Sequence, residues 1–240
     1  ISLVGVRDIE TPIISDLLHE GDAVVLVVPI DKAAPKGRLI LPQQQTIRKI
    51  LEARAVAVVT DEKRLGETLS LLNKEPVFII TDSQVFKEVA AIAPKHLKLT
   101  SFSVLMARHK GILPALTTGI NAVKRLADGD TVLIAEGCTH HRQCEDIGTV
   151  KIPRWLKTFT RKDIHIETSS GMTFPQDLSP YSLVIHCGGC MLNEKEMKYR
   201  VKEAKRQLRP IVNYGILIAY MNGILERSAE AVPELAFLKE

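Results

Sequence analysis

The stretch Tyr181-Ser182-Leu183-Val184-Ile185-His186-Cys187-Gly188-Gly189-Cys190-Met191-Leu192-Asn193-Glu194-Lys195-Glu196 runs from an apolar strand pattern, through a cysteine–glycine turn, into a helix start. Residues 181–185 read as a buried strand. Asn193 with Glu196 three residues later has the form of a capping box. Strand, tight turn and helix in succession make the unit of a parallel α/β sheet, which places its sites at the C-terminal ends of its strands. The helix N-terminus that follows favours negative charge, thiolate included. Two glycines let the backbone come close to a bulky ligand. A second group, Cys138-Thr139-His140-His141, follows another apolar strand at 131–135. If both strands share one parallel sheet, both groups emerge on the same edge. The pair reads as a metal or iron–sulfur site.

Working outward, the same alternation fills the chain. Ala23-Val24-Val25-Leu26-Val27-Val28-Pro29-Ile30 is apolar on both faces, as a central parallel strand is. Pro42 opens a helix with Ile47, Ile50 and Leu51 at helical spacing. Strand 55–60, helix 62–72, strand 76–81, helix 83–92 and strand 97–100 follow as βαβ units. The pattern shifts around 101–110, which sets a boundary between residues 1–102 and 103–240. Beyond it come a helix at 114–127, a short helix from Pro153, a strand at 164–167 and an exposed loop at 169–180. The helix from Glu194 presents Met197, Val201, Ala204 and Leu208 on one face, with Glu196 and Arg200 as an i,i+4 pair. Strand 211–213 and an apolar helix at 215–226 close the chain. A short helical pattern at 12–19 precedes all of this. The expected fold class is α/β: two small domains, each a mainly parallel sheet flanked by helices.

Composition agrees. The 240 residues are 45% hydrophobic and 25% charged, with a formal net charge of +4. Basic residues are densest at 195–209 and read as a solvated helix face, so neither nucleic acid nor membrane is expected as a partner. No apolar run approaches the roughly 20 residues that span a bilayer. The four cysteines, at 138, 144, 187 and 190, are too few for a disulfide framework in a chain this long and read as ligands in a reducing cytoplasm. The loop 31–38, with Lys32, Lys36, Gly37 and Arg38, reads as a surface or subunit-contact loop ahead of an anion site. His19 and His96 have no partner at ligand spacing, and Met197 reads as core filler. There is no P-loop and no internal repeat.

Cys-x-x-Cys alone is shared by zinc ribbons, redox dithiols and cluster proteins; paired with Cys-x-His some fifty residues away it is more specific. Tetrahedral zinc would use Cys138, Cys187, Cys190 and one of His140, His141 or His186. A dithiol exchange site would use Cys187 and Cys190 and leave Cys138 unexplained. An iron–sulfur cluster would take three thiolates and leave one iron for a weaker ligand. Buried, inert cysteines are the bland alternative. Soft thiolates suit zinc and clusters alike, so the residues alone do not separate these two.

Cys138-Thr139-His140 followed by His186-Cys187-Gly188-Gly189-Cys190 resembles the Cys-x-His…His-Cys-x-x-Cys signature of the HydF family, scaffold proteins and GTPases of iron–iron hydrogenase maturation. Residues 28–42 resemble that family's dimerisation domain; residues 146–153 and Asn213-Tyr214-Gly215 resemble its cluster domain. The resemblance implies a dimerisation domain at 1–102, a cluster-binding domain at 103–240 and a homodimer joined through the edges of its sheets, with a higher oligomer left open. It implies a 4Fe–4S cluster on Cys138, Cys187 and Cys190, with an exchangeable fourth iron position. His140 and His186 are candidates for that position or its surroundings, as are His141 and Glu145, and Cys144 is a rival. The implied cargo is a diiron precursor, received from radical-SAM maturases and passed to apo FeFe-hydrogenase in the cytoplasm. The family's GTP-binding domain is not among these residues, so no GTP hydrolysis, and no enzyme activity, is expected of them. The alternative function is a zinc-stabilised interaction module with a Cys3His site.

Overall fold

The computed structural model describes residues 11–30, 39–137, 146–171, 173–190 and 192–239. Among them are two four-stranded, fully parallel sheets. The first contains β1 (Ala23–Val27), β2 (Val56–Thr60), β3 (Phe78–Thr81) and β4 (Lys98–Ser101), in the order β2-β1-β3-β4. The second contains β5 (Thr131–Ala135), β6 (His165–Ser169), β7 (Leu183–His186) and β8 (Ile211–Asn213), in the order β6-β5-β7-β8. The expected α/β class is the one observed. Both sheets share one winding, although no repeat is visible in the sequence. In each, the first strand is central, the second takes one side and the third the other. Each sheet therefore has a topological switch point between its first and third strands. β1 is buried along its whole length, as its apolar run requires.

Helices α1 (Leu41–Glu52), α2 (Leu65–Leu71) and α3 (Phe86–Ile92) flank the first sheet. After it come α4 (Phe102–His109), α5 (Leu113–Leu116), α6 (Thr118–Arg125), α7 (Ile152–Thr160), α8 (Glu194–Arg206), α9 (Tyr214–Met221) and α10 (Leu225–Ala231). Asparagines start two of them: Asn193 Oδ1 accepts from Glu196 N–H (2.8 Å) and Asn213 Oδ1 from Ile216 N–H (2.8 Å). Glu196 does not complete a capping box; its carboxylate pairs with Arg200 instead.

Several local expectations change. The 12–19 pattern gives only a 3-10 turn, Ser15–Leu17, because Pro12 and the β-branched neighbours leave few good helix formers. The stretch 101–110, where the pattern shifts, forms α4, entered at Ser101, whose Oγ accepts from Val104 N–H (3.3 Å). The helix expected at 114–127 is divided at Thr117 into α5 and α6. The short helix from Pro153 extends over Ile152–Thr160 and is preceded by a π-helical turn, Ile147–Lys151, capped by Asp146. Leu208 does not join the apolar face of α8: it lies past the helix end in the left-handed region (φ 55°) and is 88% exposed. Arg200 takes its place on that face, fully buried. The loop 31–38 lies outside the described residues.

One hydrophobic core runs through both sheets, and the C-terminal helices return to the first of them. α9 packs on α4 and on the 3-10 turn Ser83–Val85, and α10 packs along β4. Arg227 of α10 fastens this return. Its guanidinium donates to the carbonyls of Ala90 (3.3 Å), Ala93 (3.2 Å), Pro94 (2.5 Å) and Leu97 (3.2 Å), where α3 ends and its orphan carbonyls need donors. Arg227→Ala is expected to lower unfolding stability by about 2 kcal/mol, read as a shifted urea midpoint with an unchanged slope. Arg108 of α4 makes a second tie, donating to Asp16 (2.5 Å), Glu234 (2.8 Å) and the Pro12 carbonyl (2.6 Å). The guanidinium holds the Asp16 carboxyl below the usual range.

Candidate metal centre

The second sheet's switch point lies between β5 and β7, where Ala135 pairs with His186. The ladder continues one residue further, Cys187 N–H donating to Ala135 O (2.9 Å). Beyond that the two chains meet through sulfur: Gly137 N–H donates to Cys187 Sγ at 3.0 Å. Gly189 N–H adds a second donor at 3.3 Å. Two backbone N–H groups on one sulfur favour the thiolate over the thiol. Cys138 is the residue after Gly137 in the sequence and lies outside the described residues.

Two of the loop's carbonyls are tied elsewhere. Cys187 O accepts from His186 Nδ1 (2.7 Å); Gly189 O accepts from Leu192 N–H (3.0 Å) and Lys110 Nζ (2.5 Å). Cys187 is half-buried and Cys190 exposed. The two glycines serve different ends. Gly189 has φ +59°, and a Cβ there would fall 2.5 Å from Met197 Sδ. Gly188 has nothing within 4 Å of an added Cβ and faces open space. Close approach of a ligand therefore concerns Gly188, while Gly189 is fixed by its turn and by Met197, which is buried core as expected.

His186 is fully buried, and both its ring nitrogens are engaged. A carbonyl only accepts, so Nδ1 carries the proton toward Cys187 O, and Nε2 accepts from Arg200 Nη1 (3.1 Å). Burial first, with the charges of Arg200 and Lys110, pulls its pKa down to about 4, and the imidazole is neutral. Arg200 also donates to Glu196 (2.8 Å) and to Gly171 O (2.7 Å), and lies 5.0 Å over the Phe174 ring. On the far side of the site, buried Glu136 accepts from Tyr214 OH (3.4 Å), with Gly148 packed against both. Burial, then the Glu136 charge, raises the Tyr214 hydroxyl well above its ordinary pKa.

Of the residues expected at the site, Cys187 and Cys190 share one turn, and His186 precedes them with both ring nitrogens bound to Cys187 O and Arg200. Cys138, His140, His141, Cys144 and Glu145 lie outside the described residues. Among the described residues no group of three His, Cys, Asp or Glu side chains is placed to hold a metal ion. Two thiols at the mouth of the switch point, N–H groups turned to sulfur and an open glycine fit a thiolate-bound group. Lys110 and Glu136 were not anticipated, Arg200 was not anticipated at the site, and Tyr214 entered only through the resemblance of 213–215 to a cluster domain. Glu136 stands two residues before Cys138 and Arg200 was visible as an ion pair, but nothing in the sequence pointed to Lys110.

Among the described residues no helix is long and apolar enough to cross a membrane. A comparison with curated proteins finds no match. Family models do match: the hydrogen maturase F dimerization domain over residues 13–111 and the hydrogen maturase F tetramerization domain over residues 114–231. Both are oligomerisation domains rather than catalytic ones, and together they cover the two sheets and the four cysteine positions. The chain belongs to the hydrogen maturase F (HydF) family, within which its role is that of a hydrogenase maturation scaffold.

Proposed function

We propose that the chain holds a 4Fe–4S cluster on Cys138, Cys187 and Cys190, receives a diiron precursor as cargo from radical-SAM maturases and passes it to apo FeFe-hydrogenase. The contact between Gly137 N–H and Cys187 Sγ supports this reading, because Gly137, the residue before Cys138 in the sequence, meets the second group's sulfur at a ligand-binding edge. A cluster held by three thiolates supplies one iron whose fourth position accepts an outside ligand. The chain's own residues do the rest. Gly137 and Gly189 stabilise the Cys187 thiolate, His186 and Arg200 fix the loop, and Gly188 leaves space for cargo. Metal and sulfide analysis with electron paramagnetic resonance, on anaerobically reconstituted and reduced protein, tests it. About four irons and four sulfides per chain with a reduced-cluster signal is the expected result. One tight zinc without sulfide would overturn it in favour of the structural module.

The association of copies follows from the first sheet. β4 is covered by α10, whereas among the described residues β2 pairs with β1 alone and leaves Val56 and Val59 53% and 49% exposed. An uncovered, apolar parallel edge invites a second copy, and a two-fold axis brings two β2 strands together antiparallel. Val59→Lys places two lysines in that interface and is expected to weaken dimerisation at least about tenfold, with circular dichroism unchanged. Light scattering across a dilution series reads the effect; a variant as dimeric as the parent would place the interface elsewhere.

A further inference from the structure

Lys110 ends α4 inside the region matched by the dimerization model, yet its ammonium reaches across to Gly189 in the cysteine loop (2.5 Å). It is only 9% exposed. A buried ammonium with one carbonyl partner is costly unless negative charge lies close by. Among the described residues no carboxylate forms an ion pair with it; burial pulls its pKa below the ordinary lysine value, and Cys190, Cys187 and Glu194 act against that pull. Glu194 is itself paired with Lys198. The two thiols are thus the groups left to offset this charge.

We propose that Lys110 is the fixed counter-charge and positioning residue of the cluster loop, holding the Gly189 carbonyl away from the sulfurs and offsetting the negative charge gathered on them. The inference rests on the cluster reading above and deepens it. Reduction adds negative charge to a thiolate-bound cluster, and a cation at fixed distance in a partly buried loop favours the reduced state. The effect needs no contact between Lys110 and the metal. It also makes the first unit part of the second unit's electrostatics.

Three variants of the 240-residue chain separate charge from position. Lys110→Gln keeps a donor toward Gly189 O and removes the charge; Lys110→Arg keeps both; Lys110→Met removes both. All are reconstituted anaerobically, checked by circular dichroism, and titrated by electron paramagnetic resonance against mediators of known potential. Lys110→Gln is expected to retain iron and sulfide at the parent level with its midpoint moved to more negative potential. Lys110→Arg should restore the parent midpoint. Lys110→Met should show the same negative shift, or lose its cluster in a folded protein. A parent-like midpoint in Lys110→Gln, or an equal shift in Lys110→Arg, would overturn the proposal. If the parent itself takes up no cluster, the cluster reading fails first, and that outcome is distinct from any difference among variants.

Discussion

Cys187→Ser is expected to reduce bound iron from about four per chain to a small fraction of one after anaerobic reconstitution, with labile sulfide falling in step. The sulfur at this position is the best defined part of the site. Two backbone N–H groups converge on it, at 3.0 and 3.3 Å, from the ends of adjacent strands. A serine hydroxyl can accept the same hydrogen bonds, so the loop should keep its shape. What it cannot do is ionise near neutral pH or supply a soft donor. The substitution therefore removes ligand chemistry and leaves the fold, a separation visible in one experiment: unchanged circular dichroism with no reduced-cluster signal. A serine variant that still assembles a full cluster would remove Cys187 from the ligand set.

The sequence showed the fold because strand and helix patterns alternate without a competing signal. A strand such as Ala23–Val27, buried throughout, has no reading other than a central parallel one. What the reading required of the strands is met: β5 and β7, which the two cysteine groups follow in the sequence, are neighbours, while the first group itself lies outside the described residues. Where reading failed, the cause was tertiary. The stretch 101–110 lacks a clear amphipathic period since α4 is buried on most sides, with Phe102, Leu105, Met106 and Arg108 all inside. Lys110 at its end carried no local signal because its partner is 79 residues away. Leu208 obeyed the helical period, but the helix ended before it.

The shared winding of the two sheets gives these corrections a common meaning. In each sheet a crevice opens between its first and third strands. In the second sheet the cysteine loop occupies it. In the first, the turn after β3, Ser83–Val85, is packed against α9 and is polar, with Ser83 Oγ within 2.7 Å of Ser103 Oγ and Gln84 accepting from Lys151 (3.2 Å). One winding therefore serves two ends: the first unit's crevice edge fastens the units to each other, and the second unit's edge presents thiols. Ser103 also leaves no room for a side chain at Gly215, where α9 crosses.

Arg200→Met is expected to destabilise the protein by about 3–5 kcal/mol, the range found when one member of a buried charged network is removed. Arg200 read as half of a surface i,i+4 pair, and the pairing with Glu196 is real, but its guanidinium is buried and has further acceptors. Methionine fills much of the stem's volume and none of its hydrogen bonds. Glu196 and Gly171 O, both half-buried, can be rehydrated in part; His186 Nε2, fully buried, has no such recourse, and stranding it costs about 1–3 kcal/mol. A lysine in place of Arg200 would keep the charge but lack the planar fork that serves three acceptors, so Arg200→Lys should fall between the parent and Arg200→Met. Urea unfolding of the metal-free proteins measures the order. Hydrogen exchange at the Cys187–Cys190 loop should rise in both variants, since His186 holds Cys187 O only while Arg200 fixes its ring. A loss below about 1 kcal/mol, with the loop still protected, would mean that the imidazole keeps its orientation by packing against Phe174 alone.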